Sequence, residues 1–191
     1  MAIKKLLRMG DERLLKKSEY VQNVSSSEVQ SIIDDLIDSM HHYGGVGIAG
    51  PQIGYFLRIL VFEVSQNERY PHAQAIPLGA LINPEIEILS EQRESDWEGC
   101  LSVPGYRGLV PRYTCIRYRG FDRDGQPVER EATDFHARLI QHEVDHLDGV
   151  LYPMRIEDMR DFGCDDMLWQ RMTGEPYPEH MKQKLREHWD L

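Results

Sequence analysis

The sequence predicts one domain of the α+β class, in which helical and strand-like segments occupy separate stretches of the chain. Apolar residues recur at helical spacing over residues 29–40, four strand-like runs follow, and residues 135–147 contain neither Gly nor Pro. At 191 residues, the chain is long enough for one domain that buries roughly 70% of its unfolded surface, and too short to predict two.

Composition is that of an ordinary globular protein and argues against two classes of function. Hydrophobic residues make up 41% and charged residues 28%, and no stretch approaches the roughly 18 apolar residues of a membrane span. The formal net charge of −10 opposes general nucleic-acid binding. Three cysteines give little support for a disulfide framework, and Asp11 and Glu12 interrupt the basic N-terminus before a signal-type apolar core, so we expect a cytoplasmic protein.

The first predicted element is an amphipathic helix with a local signal at each end. Residues 25–28 supply a capping box, and Gly44 or Gly45 offers a stop. The apolar side chains between them repeat every three or four residues, at Val29, Ile32, Ile33, Leu36, Ile37 and Met40.

A glycine-rich segment follows at residues 44–54. It contains Gly45, Gly47 and Gly50 at the spacing of a dinucleotide-binding fingerprint, but it follows a helix and runs into Pro51, whereas that fingerprint follows a strand and opens a helix. Two alternatives stay open: a tight irregular turn, or a loop that lets a ligand approach the backbone and places the Gln52 amide at a site.

Strand-like runs occupy the middle of the chain. Residues 58–64 and 80–89 are rich in Ile, Leu and Val, and Asn83 and Pro84 mark a bend or an edge in the second run. The polar segment at residues 65–77 is typical of a surface loop. Residues 114–121 and 127–132 form a predicted hairpin, joined by the turn sequence at residues 122–125.

Residues 141–149 carry an H-E-x-x-H motif on a predicted helix. His142 and His146 lie four residues apart, so they project from one helix face and can bind one metal ion, with Glu143 beside them to transfer a proton. Thr133 or Asp134 can cap the start of the helix, and Gly149 can end it.

A catalytic centre of this type needs a third protein ligand. Tyr152 stands where an extended metalloprotease motif has its third histidine, and neither Glu157 nor Glu175 has a companion motif around it. Cys100 is the better candidate, because a thiolate is a strong ligand for a borderline divalent metal. His136 is the best candidate for a fourth ligand, but on a helix it points away from the motif face.

Three spaced motifs give the chain a specific family resemblance. Residues 45–52 match Gly-x-Gly-x-Ala-x-x-Gln, residues 99–102 read Gly-Cys-Leu-Ser, and residues 141–146 read Gln-His-Glu-Val-Asp-His. With these, the chain resembles the peptide deformylases, enzymes that remove the formyl group from nascent peptides. The likeness runs from about residue 3 to residue 155, and Gly50 departs from it by standing where the family commonly has a second alanine.

The resemblance implies a hydrolase that acts on N-formyl-methionyl peptides and contains one divalent metal ion. Fe²⁺ is the expected ion, with Zn²⁺, Ni²⁺ or Co²⁺ as alternatives, and the implied ligands are Cys100, His142 and His146. Glu143 then acts as base and afterwards as acid. The implied oxyanion donors are the Gln52 side-chain amide and the Leu101 backbone N–H, and the implied substrate-binding residues are Gly45, Val46 and Gly47.

The elements and the resemblance together imply antiparallel strands packed around the central motif helix, in a single domain of residues 1–191. Residues 156–191 form a divergent C-terminal extension with a weak helical pattern at residues 157–172 and an amphipathic helix at residues 179–189. Lys182, Lys184 and Arg186 on that last helix suggest a ribosome contact, although a helix that simply packs on the body is the favoured interpretation.

Two other functions stay open at this point. An H-E-x-x-H metallopeptidase that cleaves internal peptide bonds requires a downstream Glu ligand and leaves Cys100 dispensable. A non-catalytic metal-binding module requires four protein ligands and a closed site. We further expect Asp145 to support the ligands rather than bind the ion, and Arg107 or Arg112 is a candidate for steering a peptide.

Overall fold

The structure is a computed structural model that describes residues 2–65 and 74–189, so residues 66–73 of the predicted polar loop lie outside the described part. The fold is α+β, as the sequence predicts. Its strands are β1 Gly47–Ala49, β2 Ile59–Val64, β3 Ile76–Ile88, β4 Arg93–Cys100, β5 Val103–Tyr113, β6 Cys115–Phe121, β7 Pro127–Thr133 and β8 Phe162–Cys164. Its α-helices are α1 Ser27–Tyr43, α2 Asp134–Leu147, α3 Asp165–Thr173 and α4 Glu179–Trp189.

Two antiparallel sheets are arranged around α2. One has five strands in the order β1-β2-β3-β6-β7, and the other has three in the order β4-β5-β8. Every residue of α2 from Ala137 to Leu147 is buried. Its apolar side chains pack on the five-stranded sheet through Leu60, Phe62, Leu81, Ile116 and Tyr118. The motif helix is therefore central, as predicted, and its other side is available to β4 and β5.

Helix α1 has the predicted ends and packs in a second core. The Ser26 hydroxyl accepts a hydrogen bond from the Val29 backbone N–H, and Gly44 ends the helix in the left-handed conformation at φ 68°. Such a conformation favours glycine because a Cβ would clash with the backbone. The apolar face of α1 contacts Ile48, Ile59 and Leu101, which fixes the start of β1 and the residue after Cys100 relative to one another.

Strand β3 contains the predicted irregularity. The register shifts between Ile82 and Glu85, and Asn83 adopts φ 53°. The Asn83 side chain compensates by accepting from the Val21 backbone N–H and donating to the Val21 carbonyl oxygen, each at 2.9 Å. The bulge thus ties the N-terminal arm to the main sheet.

The sequence patterns missed two strands, and the start of α2 differs from the prediction. The sequence patterns did not indicate β4 and β5, because the first four residues of β4 are exposed and polar, and Pro104, Gly105 and Pro111 interrupt β5. Neither expected residue caps α2: Thr133 takes the N-cap position without a side-chain hydrogen bond. Asp134 follows it at φ 51°.

The C-terminal segment packs on the rest of the chain. Helix α3 begins at Asp165, later than the pattern at residues 157–172 suggests, while α4 has the predicted bounds. Arg107 on β5 forms a buried ion pair with Asp165, whose carboxylate also accepts a hydrogen bond from the Tyr177 hydroxyl at 2.7 Å. Among the described residues, no helix has the length and apolar character needed to cross a membrane.

Candidate active site

The three predicted metal ligands meet where β4 ends beside α2. Cys100 is the last residue of β4, and the i to i+4 spacing places His142 and His146 on one face of α2. The Cys100 Sγ lies 3.2 Å from His146 Nε2, and the candidate ligand atoms of all three residues lie within 4.8 Å of one another. All three side chains are buried.

This donor set fits one divalent ion. Metal–sulfur bonds of about 2.3 Å and metal–nitrogen bonds of about 2.0 Å in a tetrahedral site imply sulfur–nitrogen separations of about 3.5 Å. The observed spacing is close to that geometry. Across residues 2–65 and 74–189, no fourth His, Cys, Asp or Glu joins the group, so three protein donors leave one position open.

Glu98 orients the first histidine of the motif. Its Oε2 lies 2.8 Å from His142 Nδ1. The other ring nitrogen, Nε2, is therefore the one left to bind a metal ion together with Cys100. Arg112 and Arg138 also donate to this carboxylate, at 2.9 and 2.8 Å. Burial acts to raise the pKa of Glu98, but the hydrogen bonds from His142 and Arg112 outweigh it and hold that pKa well below its usual range. A charged carboxylate therefore fixes the ring orientation of His142.

Glu98 is a functional candidate that the sequence analysis missed. It directly precedes the Gly-Cys-Leu-Ser motif, which was the available signal. Asp145 does not contact a motif histidine: its carboxylate accepts from Arg112 at 2.5 Å and from Arg155 at 2.6 Å. Asp145 thus supports the site only indirectly: it binds Arg112, and Arg112 binds Glu98, which contacts His142. Arg112 and Arg107 are buried in ion pairs, so neither is placed to steer a peptide.

The second histidine is held in its neutral form. Burial and the neighbouring His142 keep the pKa of His146 well below its ordinary value. A neutral imidazole is the form that binds a metal ion. The buried Nδ1 of His146 has no hydrogen-bond partner within the described parts of the chain.

Glu143 lies beside the donor set, against the glycine segment. Its Oε2 is buried and has no hydrogen-bond partner among the residues described. Burial raises the pKa of Glu143 to about 7. A Cβ at Gly47 would lie 2.4 Å from Glu143 Oε1, so the absence of a side chain at Gly47 makes room for this carboxylate. An unpaired, buried carboxylate next to a candidate metal-ligating histidine is well suited to proton transfer.

Gln52 presents its amide to the same place. Its Oε1 accepts from the Ala49 backbone N–H at 2.8 Å, which leaves the Nε2 group to donate toward Ser102 Oγ at 3.1 Å and Cys100 Sγ at 3.5 Å. The side chain is almost fully buried. The carbonyl contact with Ala49 therefore fixes which end of the amide faces Cys100.

A small cavity of about 50 Å³ brings the remaining predicted site residues together. Gly45, Val46 and Gly47 line it on one side and Leu101 on another. Its walls also include Gln52, His142 and Glu143, together with the apolar side chains of Trp97, Phe135 and Leu139. The polar groups of the candidate site and an apolar recess therefore share one cavity.

The fold and the donor set define a class of site: an α+β domain whose central helix and neighbouring strand present one cysteine and two histidines beside a buried glutamate. The family model described as polypeptide deformylase matches residues 3–162. The chain belongs to the polypeptide deformylase family.

Relatives match over nearly their full length. Peptide deformylase 1 of Bordetella pertussis is 52% identical over 167 residues, covering 87% of this chain and 95% of that protein. Peptide deformylase 1 of Nitrosomonas europaea is 49% identical over 171 residues, covering 90% and 97%.

Solved structures give the same result. A class I type b peptide deformylase from Acinetobacter baumannii with bound Met-Ala-Ser aligns with a TM-score of 0.78 at 33% identity, covering 81% of this chain and 99% of that chain. A peptide deformylase from Synechococcus elongatus in complex with actinonin aligns with a TM-score of 0.74 at 28% identity, covering 98% of this chain and 91% of that chain. The likeness therefore extends to the fold as well as the sequence.

Proposed function

We propose that this protein hydrolyses the N-terminal formyl group of formyl-methionyl peptides and releases formate. The observation that carries the proposal is the convergence of Cys100, His142 and His146 beside the unpaired carboxylate of Glu143. The names of its relatives support the same activity. Met-Ala-Ser bound to the Acinetobacter baumannii enzyme supports a peptide substrate that begins with methionine.

The metal ion of the proposed enzyme is held by Cys100, His142 and His146. We infer Fe²⁺ as the native ion, with Zn²⁺, Ni²⁺ or Co²⁺ as alternatives that the same donors accept. A divalent ion bound there supplies a Lewis acid that lowers the pKa of a water molecule to about 7 and so provides hydroxide near neutral pH.

Glu143 performs the proton transfers in this proposal. It takes a proton from the attacking water and returns it to the departing amine, so one carboxylate acts first as base and then as acid. The Gln52 Nε2 group and the Leu101 backbone N–H donate to the oxygen that gains negative charge. In a buried pocket each well-placed donor stabilises the transition state by about 3 kcal/mol.

The substrate's methionine side chain enters the small cavity, where Trp97, Phe135 and Leu139 provide apolar walls. The segment from Gly45 to Gly47 then lies along the peptide backbone. Because a Cβ at Gly45 would lie 2.9 Å from Leu101 Cδ1, a residue with a side chain here would narrow the entrance to the cavity.

A nascent-chain substrate also supports a cytoplasmic location.

The structure disfavours both alternative functions. The downstream Glu ligand that a metallopeptidase needs is absent from the described cluster, since Glu157 is an exposed residue that pairs with Arg93. A closed four-ligand module is disfavoured because His136 packs against Phe62 and Tyr118 instead of joining the motif histidines.

The direct test is formate release from a formyl-Met peptide by protein purified without oxygen, with its metal content measured in the same sample. We expect one metal ion per chain and formate in proportion to hydrolysed peptide, with no cleavage of casein. Casein cleavage without formate release would instead support the metallopeptidase.

Sensitivity to air tests the inferred iron. If Fe²⁺ is held partly by the Cys100 thiolate, oxygen inactivates the enzyme by oxidising metal or ligand, and a nickel-substituted form survives longer. Equal half-lives in air and under argon would point to zinc.

We also infer, as the sequence suggests, a ribosome contact through α4. Arg186 is exposed and Lys182 is partly exposed on this helix, although both pair with Glu179. Reversing both charges should weaken salt-sensitive co-sedimentation with ribosomes and leave the rate of deformylation of a short free peptide unchanged. Unchanged co-sedimentation of the double variant would refute the contact.

A further inference from the structure

A second and larger cleft adjoins the candidate active site. It has a volume of about 400 Å³ and shares Gly44, Gly45, Cys100 and Leu101 with the small cavity. Helix α4 forms its far wall, to which it contributes Met181, Lys184, Leu185 and Trp189. The C-terminal extension therefore borders the space next to the reaction centre.

Packing on α1 and the N-terminal arm holds this wall in place. Met181 is buried, and Trp189 packs on the core formed by α1. The His188 ring meets the His42 ring edge-on, with 4.7 Å between the ring centroids. The Trp189 carbonyl oxygen accepts a hydrogen bond from Arg8 Nη1 at 3.2 Å. Helix α4 is thus fixed relative to the cleft at its C-terminal end.

The three basic side chains of α4 differ in their surroundings. Lys182 and Arg186 pair with Glu179, with nitrogen–oxygen distances of 3.2 and 3.5 Å. Lys184 lines the cleft instead, and its Nζ lies 3.9 Å from where a Cβ at Gly44 would stand. Within the described residues, Lys184 has no ion pair.

Lys184 places a cationic side chain on the wall of the cleft, in a chain whose formal net charge is −10. No Asp or Glu is among the described residues that line it, and the other basic side chain in the lining, His41, already lies 2.7 Å from the Glu63 carboxylate. Lys184 is exposed at the open side of the cleft, so solvent partly screens any charge pair that it forms there. A peptide carboxylate is a suitable partner for Lys184.

We propose that this cleft binds the peptide segment that follows formyl-methionine, and that Lys184 selects for a carboxylate in that segment. The inference rests on the proposed deformylase function and names a specificity-determining residue for it. A peptide whose first residue fills the small cavity passes the shared boundary at Gly45 and Leu101. At about 3.3 Å per extended residue, the next two or three residues then lie beside α4.

The test uses metal-loaded protein and four peptides of one length. These are formyl-Met-Ala-Ser as free acid and as amide, formyl-Met-Ala-Glu amide and formyl-Met-Ala-Lys amide. We expect kcat/KM to favour the Glu amide over the Lys amide by about threefold to fivefold, as for one partly screened ion pair. Lys184→Glu should reverse the preference and Lys184→Met should abolish it, with the change mainly in KM because the contact is remote from the reacting bond.

Lys182→Glu and Arg186→Glu are matched controls, since they make the same charge change on the same helix outside the cleft lining. Both should keep the wild-type preference. An equal preference shift in these controls would overturn the inference, because it would reflect net charge alone. The same would follow if Lys184→Glu left the preference unchanged.

The acid and amide forms of formyl-Met-Ala-Ser separate the two sources of the carboxylate. If kcat/KM is higher for the free acid than for the amide of formyl-Met-Ala-Ser, and this difference disappears in Lys184→Met, Lys184 binds a peptide C-terminus. If kcat/KM is higher for the Glu amide than for the Lys amide, Lys184 binds a side-chain carboxylate. Either difference in kcat/KM supports the inference, and the absence of both overturns it. Failure of every peptide to release formate would overturn the proposed function itself, a result distinguishable from formate release without selectivity.

Discussion

At the scale of single residues, the candidate site depends on a close approach between β1 and α2. Gly47 contacts the Glu143 carboxylate, and that carboxylate is buried without a hydrogen-bond partner in the described structure. Glu98 holds the neighbouring His142 in one orientation. The position and charge of each carboxylate therefore follow from contacts with residues far away in the sequence.

Glu143→Gln should lower kcat by about 100-fold to 10,000-fold, because it removes the proposed base while sparing the three proposed metal ligands. Formate release and metal content are measured on the same preparation, and metal content should stay unchanged. Glu157→Gln is the matched control at an exposed position. Loss of activity in Glu157→Gln, with Glu143→Gln active, would instead support a downstream-glutamate metallopeptidase.

Gly47→Ala should displace the Glu143 carboxylate, since the new methyl group would lie 2.4 Å from Oε1. A displacement of this size at a catalytic group costs on the order of 100-fold in kcat. Gly163→Ala is the control, because a Cβ there makes only ordinary contacts with Leu168, the nearest at 3.6 Å. Wild-type kcat in a folded Gly47→Ala protein would refute the assigned position of Glu143.

At the scale of elements, α1 and α2 begin in different ways. Helix α1 has a side-chain cap at Ser26, whereas the N-cap of α2, Thr133, forms no side-chain hydrogen bond, and the first helical residue, Asp134, adopts φ 51°. Helix α2 is held by its surroundings instead: every residue from Ala137 to Leu147 is buried, and Arg138 donates to the Val110 carbonyl oxygen at 2.7 Å. Its stability is therefore tertiary in origin.

Ser26→Ala should lower the free energy of unfolding by about 1 kcal/mol, because the Val29 backbone N–H loses its acceptor. Urea denaturation measures the change. Ser27→Ala, one residue later and exposed, is the control and should stay within about 0.5 kcal/mol of wild type. Equal effects of the two variants would show that the cap contributes nothing.

At the scale of the whole molecule, the C-terminal extension is joined to the catalytic body by a buried charge pair. Arg107 on β5 and Asp165 at the start of α3 are both almost fully inaccessible to solvent. The Tyr177 hydroxyl adds a hydrogen bond to the same carboxylate at 2.7 Å. The pair fixes the segment that leads into α4 and hence the far wall of the larger cleft.

Asp165→Asn should destabilise the protein by about 3–5 kcal/mol, because it removes the buried carboxylate charge that pairs with the buried Arg107 guanidinium. Chemical denaturation measures the loss, and limited proteolysis should show earlier cleavage in the C-terminal segment. Asp166→Asn removes a charge from the same helix turn at an exposed residue and should have little effect. Equal stability of both variants would refute a structural role for the pair.

The sequence alone determined the features that depend on neighbours along the chain. The start and end of α1, the bounds of α4 and the shared face of His142 and His146 follow from helical spacing and local capping residues. The family resemblance singled out Cys100 and Gln52 from short motifs, and the structure brings both to the motif helix.

Tertiary structure alone decided the features that join distant segments. Cys100 and His146 are 46 residues apart, and Glu98 and His142 are 44 apart, so neither contact has a periodic signal. The same applies to Arg112 and Asp145, whose charges are matched only after β5 and α2 pack together, and to Arg107, whose charge is matched only after α3 packs on β5. A buried charge without a partner is energetically costly, so buried charged residues pair with opposite charges that lie close to them in the folded structure. Spacing along the sequence does not reveal which residues these are.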